Sequence, residues 1–155
     1  MSASLRISGY ASLFNQTDLS GDKVGRGAFS ASILSLTEGR LPMLFGHETA
    51  SPIGVWDRLA EDQNGLFVSG RLIGGTTQTD RMVKLVREGA VSGLSIGYRV
   101  RRSVKTEAGR LLTELDLWEV SVVAFPMLRS ARIIQIDDLF PSLPTLSEKG
   151  NMAYA

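Results

Sequence analysis

Apolar positions in this chain recur mostly every second residue, in short runs separated by glycines and polar clusters. Leu5, Ile7, Gly9, Ala11 and Leu13 alternate with Arg6, Ser8, Tyr10, Ser12 and Phe14, the period of a strand. Residues 41–45 form a short apolar run that leads into Gly46-His47-Glu48. Residues 53–60 and 66–73 flank Glu61-Asp62-Gln63-Asn64-Gly65, where the Asn-Gly pair predicts a hairpin. Residues 90–100 open in a turn and continue as a strand, with Leu94, Ile96, Tyr98 and Val100 on one side and Ser95 on the other. Gly93 and Gly97 bracket that serine and leave room for another backbone, such as a substrate chain. Residues 111–125 supply one or two further strands, and residues 131–136 a last one.

Helical spacing occurs twice. Phe29, Ile33, Leu34 and Leu36 predict a helix over 28–36 with Gly39 as its stop, and Asn15 to Gly27 before it reads as a polar loop. After Gly74-Gly75, Thr76 or Thr77 caps a helix that buries Met82, Val83, Leu85 and Val86 and ends at Gly89. From Asp137 onward two prolines and small polar residues break the periodicity, so residues 1–136 are expected to be the domain and 137–155 a mobile tail. The expected fold is mainly β with peripheral helices (α+β), its six or seven strands closing or nearly closing into a barrel, because closure removes unpaired edges.

Composition narrows the chemistry. The 155 residues and 43% apolar content suit one domain with its own core. A formal net charge of +1 gives no bulk electrostatic case for nucleic acid or membrane binding. With no cysteine there is no disulfide, no thiolate nucleophile and no cysteine zinc site. The first residues hold no apolar signal core and no run reaches the length of a membrane span. The expectation is a soluble, intracellular protein without cofactor or metal.

Three residues stand out. His47, the one histidine, sits where an apolar strand meets a loop, a place where functional side chains are presented; a surface or core histidine is the plainer reading. Glu119 shares a strand face with Leu115, Leu117, Ser121 and Val123. It is either a rim charge or a carboxylate held for a partner, since burying it unpaired is costly; Asp116 competes with it from the opposite face. Ser95 is either an ordinary polar strand residue or a nucleophile. Serine, histidine and a carboxylate are the parts of an acyl-transfer centre, in which imidazole takes the hydroxyl proton and the carboxylate fixes the tautomer. Trp56 and Trp118 read as barrel packing. Asp18 and Asp22 suggest a polar turn more than a calcium loop.

The order of the segments then adds a resemblance. Gly9-Tyr10-Ala11-Ser12-Leu13-Phe14, Gly27-Ala28-Phe29, Leu41-Pro42-Met43-Leu44-Phe45-Gly46-His47 and Pro52-Ile53-Gly54-Val55-Trp56 resemble the phage prohead protease family of the HK97 type. So do Gly65 to Leu72, Gly93-Leu94-Ser95-Ile96-Gly97-Tyr98 and Leu115 to Ser121, in order across about residues 5–136. The family is similar to the herpesvirus assemblins, which implies a herpesvirus-protease-like barrel ringed by helices. It also implies a serine endopeptidase of capsid maturation. By the resemblance Ser95 matches the nucleophile, His47 the general base and Glu119 the third member, where the herpesvirus enzymes carry a second histidine. The same resemblance makes Arg129 and Arg132 candidates for the oxyanion site. It implies capsid protein or scaffold segments as substrate and a location inside immature capsids in the host cytoplasm; the tail from about residue 137 separately suggests a link to a scaffold or a segment trimmed by the enzyme itself. A homodimer or larger oligomer is compatible with it. Two other readings stand beside it: a non-catalytic capsid-assembly or scaffold-binding barrel of the same shape, and a metal-dependent hydrolase using His47 with Asp18 or Asp22.

Overall fold

The structure is a computed structural model, and it describes residues 3–36 and 41–139. Gly39 and residues 140–155, to which a helix stop and most of a tail were assigned from sequence, lie outside the described residues. In chain order the elements are β1 (Leu5–Leu13), β2 (Asp22–Val24), α1 (Ser30–Ser35), β3 (Leu41–Phe45), β4 (Gly54–Glu61), β5 (Gly65–Leu72), α2 (Thr77–Arg87), β6 (Gly93–Lys105), β7 (Arg110–Val123) and β8 (Ile133–Asp138). β8 therefore runs two residues into the segment expected to be tail.

All strands belong to one sheet in the order β2-β7-β3-β4-β5-β1-β8, with β6 on β7. β7 is the spine. Its first residues pair with β2 and Val120–Val122 pair with β3, both in parallel, while β6 lies antiparallel along its length. The expectation of a closed or nearly closed barrel of six or seven strands is corrected on two points: eight strands form among the described residues, and the sheet does not close. Among the described residues, Arg132, just before β8, meets β6 at an isolated bridge opposite Gly93. β8 follows β1 only as far as Gly9. Beyond it, Ala11 and Leu13 of β1 and Leu94, Ile96 and Tyr98 of β6 line one cavity.

The extra strand is β2, which the polar composition of residues 15–27 conceals. Three residues cannot hold a strand by apolar burial, and Arg110 of β7 anchors it with two hydrogen bonds to the Asp22 carboxylate, 3.0 and 2.9 Å. The β4–β5 hairpin forms where expected, but Asp62 builds its turn by accepting from the N–H groups of Asn64 and Gly65 at 2.7 and 3.1 Å. α2 starts at Thr76, whose hydroxyl accepts from Thr79 N–H while Thr79 reaches back to Thr76 N–H. Met82, Val83 and Val86 are its buried face.

The core gathers Leu5, Ile7, Phe29, Met43, Trp56, Leu72, Leu94, Leu112 and Leu115 from nearly every element. Trp56 of β4 is buried and reaches across β3 to donate from Nε1 to the Val120 carbonyl at 3.0 Å. Trp118 is not packing, contrary to its sequence reading. It is 58% exposed, with the Arg99 guanidinium over its ring. No helix among the described residues is long and apolar enough to cross a membrane.

Candidate active site

The site is built on the β6–β7 ladder. Directly paired residues of neighbouring strands share a face, and here Ser95 pairs with Ser121 and Gly97 with Glu119. The alternation read from sequence holds for Glu119, Ser121 and Val123, but the ladder skips Trp118, pairing Gly97 with Glu119 and Tyr98 with Leu117, and this bulge puts Leu115 and Leu117 on the opposite face with Val120 and Val122. On the other side of β7, the parallel register sets Phe45, the last residue of β3, opposite Val122. The chain leaves β3 beside Ser121.

There it turns sharply. Gly46 and His47 both have positive φ, +60° and +65°, and Glu48 N–H bonds back to the Phe45 carbonyl at 3.1 Å, the pattern of a type I′ turn. Positive φ is uncommon for a residue with a Cβ and costs on the order of 1 kcal/mol. Two contacts hold His47 in it: its N–H donates to Ser121 Oγ at 2.9 Å, and its Nδ1 bonds Glu119 Oε2. The Ser121 hydroxyl donates in turn to Glu119 Oε1 at 2.8 Å. Glu119 is thus neither a rim charge nor an unpaired buried carboxylate, since each oxygen has a partner. Asp116 points elsewhere, toward Arg99 and Arg101.

Ser95 and His47 line one cavity of about 390 Å³. No hydrogen bond joins them, and the Ser95 hydroxyl, on a residue only 8% exposed, has none to protein among the described residues. With Nδ1 committed to Glu119, Nε2 is the ring nitrogen left to accept a proton. The cavity is also lined by Asp18, Asp22, Tyr98 and Arg110. Arg110 hydrogen bonds hold the Asp22 carboxyl below its usual range, whereas burial, then the Asp18 and Asp22 charges, push the Tyr98 phenol up.

Other expectations are redrawn. Gly93 and Gly97 do not leave space for a foreign backbone: a Cβ at Gly93 would meet Pro126 and the Val123 carbonyl, and one at Gly97 the Glu119 carboxylate. Arg129 and Arg132 do not line the cavity, where Met127 and Leu128 of the same loop do. The Arg132 guanidinium bonds the Arg129 carbonyl and Ser92 Oγ at 2.9 and 3.1 Å. No group of three or more histidine, aspartate or glutamate side chains among the described residues could hold a metal ion. Asp22, offered as a ligand partner of His47, already binds a guanidinium. Ser121 is the residue sequence reasoning passed over. Its signal is a polar side chain two positions from Glu119, on the same face of an apolar strand.

Residues 2–140 match the family described as Caudovirus prohead serine protease. The chain belongs to that family. Within it, the prohead protease of Enterobacteria phage HK97 is 38% identical over 129 residues, which cover 81% of this chain and 57% of that protein. The chain therefore spans little more than half the length of that relative. The fold of this family member is also that of two solved structures. The bacteriophage T4 capsid assembly protease matches with a TM-score of 0.65 at 13% identity, over 76% of this chain and 80% of that one. The KSHV protease in complex with a hexapeptide phosphonate inhibitor matches with a TM-score of 0.55 at 14% identity, over 86% and 65%.

Proposed function

We propose that this chain is a serine endopeptidase of phage capsid maturation, cleaving capsid protein or scaffold segments inside immature capsids in the host cytoplasm. The observation that carries this reading is the placement of Ser95 and His47 on one cavity, with Glu119 on the far ring nitrogen of His47. Family membership and the 38% identical prohead protease support it.

In this mechanism His47 Nε2 removes the Ser95 hydroxyl proton as Oγ bonds to the scissile carbonyl carbon. Glu119 stabilises the imidazolium that forms. The proton passes to the leaving amine as the C–N bond breaks, which leaves an acyl ester on Ser95. Water, deprotonated by the same imidazole, then cleaves that ester and frees the second product. A side-chain rotation brings the hydroxyl to the imidazole, since such bonds are often loose until substrate binds. Charge on the carbonyl oxygen is met by backbone N–H groups of the loop carrying Arg129 and Arg132.

Ser95→Ala and His47→Ala should each abolish cleavage of co-expressed capsid or scaffold protein without loss of fold, and a fluorophosphonate should label Ser95. Normal processing by both variants would overturn the assignment. The one observation that favours a non-catalytic scaffold-binding protein is the missing Ser95–His47 hydrogen bond; persistent absence of labelling, even in assembled particles, would decide for it.

A further inference from the structure

Ser121 is completely buried, and its hydroxyl makes two bonds of opposite sense. It accepts from the His47 N–H and donates to Glu119 Oε1. A hydroxyl carries one proton, so donating to the carboxylate leaves its lone pairs to the amide. One small side chain therefore fixes both ends of the His47–Glu119 pair. It holds the imidazole's backbone in the left-handed turn, and it occupies one carboxylate oxygen so that the other faces Nδ1.

We propose that Ser121 is a positioning residue of the catalytic centre: it sets the angle at which Glu119 meets His47 and does not itself touch substrate. The inference rests on the assignment of Ser95, His47 and Glu119 made above. Without the hydroxyl, the carboxylate is free to turn about its last torsion and the His47 N–H has no acceptor. The reacting groups are then held in several arrangements of which few are productive.

Fluorophosphonate labelling of the full chain reads this, because it needs an activated Ser95 but no identified substrate. In Ser121→Ala the maximal labelling rate should fall about 10- to 100-fold, with the probe concentration for half-maximal rate unchanged within about twofold. Ser121→Thr should recover most of the rate and Ser121→Cys, a weak donor of similar size, only part. A second readout is independent of activity. In the Ser95→Ala background, the proton NMR signal of His47 Nδ1–H should be present with Ser121 and broadened or shifted upfield with Ser121→Ala. A labelling rate within twofold of the parent, or an unmoved signal in the folded variant, would overturn the proposal. Probe incorporation into Ser95→Ala would instead sink the nucleophile assignment, and the NMR comparison would still judge Ser121.

Discussion

Gly97 lies directly across the β6–β7 ladder from Glu119, and a Cβ built on it would sit 2.2 Å from Glu119 Oε2. That oxygen is the one bonded to His47. The missing side chain at position 97 is thus what lets the carboxylate lie flat across the strand and reach the imidazole.

Gly97→Ala tests this separation of fold from function. The clashing atoms all belong to the Glu119 side chain, so the carboxylate swings aside and the sheet need not move. Stability should fall by about 1–3 kcal/mol, the cost of hydrogen bonds lost to a buried carboxylate, while labelling and cleavage fall about 100-fold, the cost of a misplacement on the order of 1 Å. Denaturant melts beside probe kinetics decide it; a variant that no longer folds, or one that keeps full activity, refutes the account.

Glu119→Gln keeps shape and removes charge. Ser121 donates to one oxygen, so the amide oxygen is drawn to that side and the amide N–H₂ is turned toward His47 Nδ1. The imidazole must then accept at Nδ1 and carry its proton on Nε2, the wrong tautomer for a base. A loss of about 10³- to 10⁴-fold in turnover is expected, with binding retained. Activity within tenfold of the parent would mean that Glu119 does not orient His47.

How much of this was legible in the sequence depends on the range of the contact involved. Alternation alone places Glu119 and Ser121 on one buried face of β7, because strand period is local. The capping of α2 at Thr76 is local as well. What alternation cannot supply is the parallel register of β3 on β7, which joins residues more than 70 apart and brings His47 to Ser121. The same limit hides β2, whose single apolar residue, Val24, gives no pattern and whose anchor, Arg110, is far along the chain. Ser95 was marked in the sequence by its glycine neighbours and by the family resemblance, and the reason for one of those glycines is different: Gly97 makes room for a carboxylate, not for substrate.

Trp56 ties the sheet beneath the site. Its ring is buried and its Nε1 holds the carbonyl of Val120, the residue between Glu119 and Ser121. Trp56→Phe leaves that carbonyl without its donor and a void where the second ring was. A loss of about 2–3 kcal/mol in urea unfolding is expected. A loss below about 1 kcal/mol would show that the tryptophan packs without bridging.

The Asp22–Arg110 pair gives the fold a pH signature. Hydrogen bonds from Arg110, more than its charge, hold the Asp22 carboxyl below its ordinary value of 3.8, and burial opposes them only in part. A carboxyl with a depressed folded pKa binds protons more readily when unfolded, so stability rises with pH through this window. The contribution is complete above about pH 4 and is lost as pH falls through the lowered folded value. Arg110 stays charged throughout and half its side chain is exposed, which limits the pair to about 1 kcal/mol. Asp22→Asn should therefore cost about that much at pH 7 and progressively less below pH 4. Asp62, also depressed, by its bond from Tyr10, titrates alike in both proteins and cancels from the difference. Urea melts of the two proteins from pH 7 to pH 2.5 measure it, and a gap that stays constant, or widens in acid, would show that Asp22 does not anchor β2 through its charge.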